Sequence, residues 1–228
     1  MMSGPPADDS RHPVPDQRGA NLYTTDPALR ELLGLYLPGP LLAHLEPQLQ
    51  RLGALAGGEL DELAGVADRN PPTLEMRTRT GVDRQRVVKH PAYVEMERLA
   101  FGEFALAAIS HRQDVLGWSG QLPAEVKYAL TYLFVQAEFG LCCPVSMTDS
   151  LTRTLKKFGA PELVQRYLPA LTSLDLDTLA QGAMFMTEQG AGSDIAATAT
   201  LARPDPQQPG AWLLTGDKWF WSNPDAAL

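Results

Sequence analysis

The most chemically suggestive residues lie in a glycine-rich stretch, MTEQGAGSD, over residues 186–194. Gly190 and Gly192 permit positive φ angles and a close backbone approach to a ligand. Thr187 and Ser193 add hydroxyl groups that can donate to ring oxygens or phosphates. The stretch matches neither GxGxxG nor GxxxxGK[ST], so it is not a Rossmann or P-loop phosphate cradle. Considered alone, this stretch is explained equally well as a tight structural turn.

A second stretch, LTGDKWFWSN over residues 214–223, contains three consecutive aromatic residues. We interpret residues 218–222 as a strand, in which side chains alternate between two faces. Phe220 and Ser222 would then share one face, and the two tryptophans would share the other. Either one face packs on a planar ligand with Ser222 beside it, or both faces are buried in a core. Periodicity alone favours the core.

The remaining reactive side chains show no catalytic or metal-binding spacing. Cys142 and Cys143 are adjacent and are the only cysteines, so they predict neither a disulfide nor a CxxC metal site. Small buried apolar residues are a better interpretation of both. The four histidines are too dispersed for a metal site, and we expect no metal.

Residues 77–89 form a basic segment with a single acid, Asp83, among five basic side chains: Arg77, Arg79, Arg84, Arg86 and Lys89. It is either an anion-binding patch, for a phosphate-bearing cofactor or DNA, or a solvated loop. The loop is favoured because no aromatic residue interleaves the charges.

The elements that must position these stretches change in type along the chain. Apolar residues recur at helical spacing up to about residue 175, and Pro144 is expected to interrupt this pattern. Alternating, β-branched segments follow from about residue 183. The helical stretches are 27–36, 41–56, 60–67, 91–111, 123–141, 151–158 and 160–169, and the strands are 183–186, 198–202, 212–215 and 218–222.

Composition limits the classes of function that the 228-residue chain can have. Lys and Arg number 19 against 27 Asp and Glu, a formal net charge of −8, which argues against general binding of nucleic acid or anionic membranes. The N-terminus lacks the apolar core of a secretory signal, and no apolar run reaches the roughly 18 residues of a membrane span. We therefore expect a soluble, cytoplasmic protein.

Together, the two stretches resemble the flavin-contacting segments of the acyl-CoA dehydrogenase family, whose patterns are TE-x-x-x-GSD and L-x-G-x-K-x-W-[IF]-[TS]-N. FGAPELVQRYLPAL is similar to that family's segment leading into the middle domain. ANLYTTDPAL, ADRNPP, KHPAY and CCPVSMT resemble segments of the alkylation-response branch, whereas GAGSD is the general family form.

The resemblance implies an α+β fold in which an all-α N-terminal helical domain is followed by the first strands of an incomplete β-barrel middle domain. It implies an irregular arm over residues 1–22, the helical domain over 23–181 and the start of the barrel over 182–228. The family's C-terminal helical domain is absent. That domain supplies the glutamate base, so we expect no catalytic base among these residues.

The implied activity is FAD-dependent α,β-dehydrogenation of an acyl-CoA thioester, with hydride transfer to flavin N5, in a homo-oligomeric full-length protein. The alternative is an alkylation-stress flavoprotein that binds DNA through the missing C-terminal domain and has little dehydrogenase turnover. A third interpretation is a purely structural helical module in which the two stretches are coincidental turns.

The resemblance also implies roles for individual residues. The backbone from Met184 through Met186 to Thr187 would run under the flavin, and Thr187 would bond its pyrimidine edge. Gly192 would contact the cofactor, and Ser193 would lie near the FAD pyrophosphate or the substrate thioester. Phe220 takes the ring-facing position, Trp221 the next apolar position, and Ser222 donates to flavin N5. The cofactor-binding set is Met184, Met186, Thr187, Gly192, Ser193, Phe220, Trp221 and Ser222.

Overall fold

The computed structural model describes residues 16–226, so residues 1–15 of the predicted arm lie outside the described residues. Helices dominate up to residue 171 and a strand-containing region follows, which confirms the predicted α+β class. The helices are α1 (Pro27–Tyr36), α2 (Gly39–Ala56), α3 (Glu59–Arg69), α4 (Pro91–Glu97), α5 (Ala124–Ala137), α6 (Cys142–Phe158) and α7 (Pro161–Leu171). The strands form two antiparallel pairs, β1 (Thr73–Arg77) with β2 (Asp83–Val88), and β3 (Leu201–Pro204) with β4 (Trp212–Thr215).

Side-chain caps begin α1 and α4. The Asp26 carboxylate accepts a hydrogen bond from the Leu29 amide at 2.9 Å, and Pro27 occupies the first turn of α1. At the start of α4, His90 Nδ1 accepts from the Ala92 amide at 3.1 Å. These contacts satisfy amide groups that have no partner inside the helix.

The apolar core lies within the helical region. Its fully buried residues include Leu52 of α2, Leu60 of α3, and Leu130 and Leu133 of α5. Burying one such side chain stabilises the fold by about 1.5–3 kcal/mol. Among residues 16–226, no helix combines the length and apolar composition needed to cross a lipid bilayer.

The helix predicted over residues 91–111 is shorter than expected. α4 ends at Glu97, a π-helical segment covers Arg98–Glu103, and Ala105 adopts a positive φ of 51°. The apolar residues that suggested a continuing helix, such as Phe104 and Ile109, are fully buried in an irregular segment. Their spacing therefore reported burial rather than helical geometry.

Pro144 does not interrupt a helix as predicted, because it lies in the first turn of α6. The first amide groups of a helix have no acceptor within it, so a proline without an N–H is tolerated there. The helical stretch predicted over 151–158 therefore begins earlier, at Cys142.

The basic segment forms the β1–β2 hairpin rather than an irregular loop. Both strands are largely exposed, and charges pair across them: Arg77 Nε lies 2.9 Å from Asp83 Oδ1, and Arg84 lies 3.7 Å from Glu75. Polar and apolar residues alternate along β1, but both faces of the hairpin are exposed, so this alternation does not mark a buried face.

A buried ionic cluster joins α5 and α6 to the irregular segment. His111 Nε2 donates to Asp149 Oδ1 at 2.7 Å, and Lys127 Nζ donates to Asp149 Oδ2 at 2.8 Å. Burial by itself would raise the pKa of Asp149, but the hydrogen bonds from His111 and Lys127 outweigh it and lower that pKa below its usual value. The carboxylate therefore stays ionised inside the fold.

Asp149→Asn should destabilise the helical region by about 3–5 kcal/mol, because it leaves the Lys127 ammonium buried without its counter-charge. Urea unfolding followed by helical circular dichroism measures this, with Asp68→Asn at an exposed position as the control. Because the folded pKa is lowered, the wild-type advantage is fully present above the unfolded pKa of about 3.9 and is lost as the pH falls below it. Equal stability of the two variants at pH 7 would contradict this role for the cluster.

Candidate functional site

Backbone hydrogen bonds place the two suggestive stretches side by side. The Met184 amide donates to the Ser222 carbonyl at 3.4 Å, and the Ser222 amide donates to the Met184 carbonyl at 3.3 Å. The Trp219 amide donates to the Thr187 carbonyl at 2.8 Å. Residues 184–187 and 219–222 are therefore neighbours, although about 30 residues separate them along the chain.

The pairing is not the continuous strand predicted over 218–222. It contains one bridge, between Met184 and Ser222, and both Phe220 and Asn223 adopt positive φ, at 58° and 57°. A left-handed residue breaks the alternation of side chains, so the strand-based prediction that Phe220 and Ser222 share a face loses its basis.

The aromatic residues of this segment do not enter a core, which corrects the interpretation that periodicity favoured. Trp219, Phe220 and Trp221 are 58%, 77% and 59% exposed. Phe185 is also exposed, and its ring centroid lies 5.3 Å from that of Trp221. We call Phe185, Trp219, Phe220 and Trp221 the aromatic surface; exposed apolar patches of this kind mark binding surfaces.

Three hydroxyl groups of the predicted set are free to bind a ligand. Within residues 16–226, the side chains of Thr187, Ser193 and Ser222 make no hydrogen bond with another protein group. Thr187 and Ser222 are half-buried beside the backbone pairing, whereas Ser193 is exposed.

The glycines of the 190–193 turn are not required by the turn itself. Gly190 and Gly192 do not adopt positive φ, and a Cβ atom on either would meet nothing within 4 Å. The positive φ angles considered from the sequence are therefore absent. Small residues here leave the backbone open to approach from outside.

The Glu188 carboxylate ties this turn to its surroundings. It accepts hydrogen bonds from the amides of Ala199 (2.6 Å) and Thr200 (3.1 Å), from the Thr200 hydroxyl, and from Lys218 Nζ at 2.8 Å. The hydrogen bonds from Lys218, Thr200 and Ala199 lower the pKa of Glu188 to about 2. A buried carboxylate with such a low pKa is a poor proton acceptor, so Glu188 holds structure rather than acting as a base.

Lys218 was not singled out from the sequence, yet it completes the link between the stretches. Besides Glu188, its Nζ donates to the Met186 carbonyl at 3.1 Å. The lysine of the second pattern is the signal that could have identified it, since one ammonium group can satisfy both a carboxylate and a carbonyl.

A cavity of about 470 Å³ separates the second stretch from the helical region. Phe220, Trp221 and Ser222 line one side, and Lys89, Tyr93 and Cys143 lie among the residues of the other. Gly192 and Ser193 are not part of this lining. The structure thus brings six of the eight predicted cofactor residues together along one pairing and leaves the Gly192–Ser193 pair apart from the cavity.

Comparison with known proteins identifies the family. A model described as the adaptive response protein AidB N-terminal domain matches residues 13–178, more than half of the chain. The chain therefore belongs to the AidB N-terminal domain family.

Two curated relatives carry names from a broader family. The Escherichia coli (strain K12) protein named "Putative acyl-CoA dehydrogenase AidB" is 31% identical over 231 residues, covering 94% of this chain and 39% of the relative. Acyl-CoA dehydrogenase family member 11 of Caenorhabditis elegans is 24% identical over 209 residues, covering 90% of this chain and 33% of the relative. The chain thus spans between a third and two fifths of the length of these relatives.

Two solved structures share the fold. The apo form of Bd2924 superimposes with a TM-score of 0.77 at 28% identity, covering 92% of this chain and 41% of that one. Caenorhabditis elegans ACDH-11 in complex with C11-CoA superimposes with a TM-score of 0.76 at 24% identity, covering 99% and 37%. The similarity includes the residues beyond the family match.

Glu188→Gln should loosen the turn, because a glutamine side chain has one acceptor oxygen where the carboxylate has two. We expect faster amide exchange at Ala199 and Thr200 at pH 7. Since the folded pKa is lowered, the advantage of the wild type is present above the ordinary value of about 4.3 and is lost as the pH falls towards 2.

Hydrogen-exchange protection of those two amides between pH 7 and pH 3 measures the effect. Asp217→Asn is the matched control, because this neighbouring exposed carboxylate makes no hydrogen bond or ion pair within residues 16–226. Equal protection in Glu188→Gln and Asp217→Asn would show that Glu188 does not hold the turn.

Proposed function

We propose that this chain forms part of an FAD-dependent acyl-CoA dehydrogenase-like oxidoreductase. The reaction is α,β-dehydrogenation of an acyl-CoA thioester. The observation that carries the proposal is the backbone pairing of Met184 with Ser222 and of Thr187 with Trp219, which unites the two flavin-type stretches. The family assignment and the names of the relatives support the same chemistry.

The residues present fit a flavin. The aromatic surface offers an exposed apolar area for a planar ring, and Thr187 and Ser222 offer hydroxyl groups that no other group of residues 16–226 binds. The open backbone at Gly190 and Gly192 suits the approach of a bulky phosphate-bearing group. We assign cofactor contact to Met184, Met186, Thr187, Gly192, Ser193, Phe220, Trp221 and Ser222.

When bound, FAD would accept the β-hydride of the substrate at its N5 atom. The Ser222 hydroxyl then has the role of a preoriented donor to the negative charge that arrives there. Its backbone is fixed by Met184, so little reorganisation is needed during the reaction. The Thr187 hydroxyl would bond the pyrimidine edge of the flavin and add a second polar contact.

The substrate class is an acyl-CoA thioester, supported by the fold shared with ACDH-11, which was solved with C11-CoA. We assign no base among the described residues, because Glu188 is held ionised by hydrogen bonds within the protein. Ser193 would contact the pyrophosphate or the thioester tail. We further propose that the protein is cytoplasmic and acts as a homo-oligomer.

The AidB family match favours a second candidate, an alkylation-stress flavoprotein that binds DNA with little dehydrogenase turnover. We place any DNA contact outside these residues, whose net charge is −8. Both candidates require flavin, but only the first requires that a thioester reduce it.

In the full-length protein, Ser222→Ala should slow flavin reduction by acyl-CoA while FAD retention changes little. A hydrogen bond to a developing charge contributes about 2–4 kcal/mol to lowering such a barrier. Stopped-flow absorbance of the flavin measures the rate, and equilibrium dialysis measures retention. Ser150→Ala, an exposed serine on α6, is the matched control.

Each failure has its own meaning. A wild-type protein that retains no FAD overturns the cofactor assignment, whereas one that retains FAD unbleached by thioesters supports the DNA-binding candidate. Unchanged reduction in Ser222→Ala removes Ser222 from the mechanism.

Residues 1–228 expressed alone should bind FAD weakly and show no turnover. Thioester-dependent dye reduction by them would place the base within this chain.

A further inference from the structure

The residue after Ser222 anchors the candidate site to the helical region. Asn223 adopts a left-handed conformation, with φ of 57°, which asparagine tolerates better than most residues. Its Nδ2 donates to Gln181 Oε1 at 3.1 Å and to the Gly182 carbonyl at 3.0 Å. The peptide on either side of Ser222 is therefore held, by Met184 before it and by Asn223 after it.

The contact continues into the helical region through a buried carboxylate. Gln181 Nε2 donates to Glu97 Oε1 at 3.1 Å, and Lys89 Nζ donates to the same oxygen at 2.9 Å. Lys89 also pairs with Asp225 at 3.1 Å. We call Asn223, Gln181, Glu97, Lys89 and Asp225 the anchoring network; it connects the end of α4 with both sides of the Met184–Ser222 pairing.

The centre of this network is largely shielded from solvent. The side chain of Glu97 is 7% exposed and that of Lys89 is 19% exposed. Burial by itself would lower the pKa of Lys89, but the charges of Glu97 and Asp225 outweigh it and raise that pKa. Lys89 therefore remains charged, and its buried charge requires its partners.

Apolar packing does not hold residues 219–222 against the helices. The side chains of Trp219, Phe220 and Trp221 are mostly exposed, so they do not fix the segment against the helices. The backbone bonds with Met184 and the polar contacts of Asn223 and Gln181 therefore hold Ser222 in place.

We propose that Asn223 and Gln181 are positioning residues, which hold Ser222 in place at the candidate site through the anchoring network. The consequence for flavin chemistry rests on the proposed function, whereas the anchoring itself does not. Neither residue touches the reacting atoms in this scheme, and both act through the backbone of Ser222.

Two nearly isosteric variants test the network in the full-length protein. Asn223→Asp replaces the donating amide with a carboxylate that only accepts, and Gln181→Glu places a second carboxylate against Glu97. We expect the Ser222 amide to exchange hydrogen at least tenfold faster in both, with unchanged exchange in α2 and α5. Asp217→Asn is the control in the same segment.

A double variant that exchanges the carboxylate and the amide should restore the contact. In the double variant Glu97→Gln with Gln181→Glu, one carboxylate and one amide again face each other, so exchange at Ser222 should return to within about threefold of the wild type. Unchanged exchange in both single variants would overturn the proposal. Equally accelerated exchange throughout the helices would also overturn it, because it would show general destabilisation.

A second readout addresses the reaction. With FAD bound, Asn223→Asp should slow flavin reduction more than it weakens FAD retention, and the Asp217→Asn control should do neither. Locally accelerated exchange with wild-type reduction kinetics would remove the network from the mechanism. If the wild type binds no FAD, the proposed function fails, and the exchange data alone decide whether the network holds the segment.

Discussion

The strand-containing region of this chain has almost no apolar core, and that constraint governs the candidate site. Within residues 183–226, Ala191 is the one buried apolar residue, and both faces of β3 and β4 are exposed. Buried carboxylates take the place of an apolar core: Glu188 accepts hydrogen bonds from residues 199–200 and from Lys218, and Glu97 connects the region to α4. Because a buried charge is costly unless fully hydrogen-bonded, these contacts restrict the region to few arrangements.

The helical region is instead stabilised by a large apolar core, and it supports the polar contacts of the strand-containing region. Leu52, Leu60 and Leu130 belong to a continuous apolar core, and the Asp149 cluster adds a buried ionic link between α5 and α6. The site residues are thus attached to a well-packed body through a few polar side chains. The aromatic surface is left available for a ligand or for further protein, in keeping with relatives more than twice as long as this chain.

The class of fold was predictable from local patterns. Asp26 before Pro27 indicates the start of α1, and the change of periodicity near Gly182 marks the end of the helical region. The predictions of secondary structure were wrong where the spacing of apolar residues did not reflect the backbone conformation. Phe104 and Ile109 are buried without being helical, and the β1–β2 hairpin forms with no buried face. Local spacing reports which residues avoid water, but not the backbone conformation that achieves it.

The sequence by itself determined the two stretches that carry the candidate chemistry, because short motifs and helix caps depend on residues close together in the chain. Only the tertiary structure decided that Trp219, Phe220 and Trp221 stay exposed, that Glu188 is held ionised and that Asn223 reaches Gln181. The ionised state of Glu188 and the contact of Asn223 depend on hydrogen bonds between groups 11 to 42 residues apart. Such contacts leave no periodic trace in the sequence, since a single donor and a single acceptor are enough to make them.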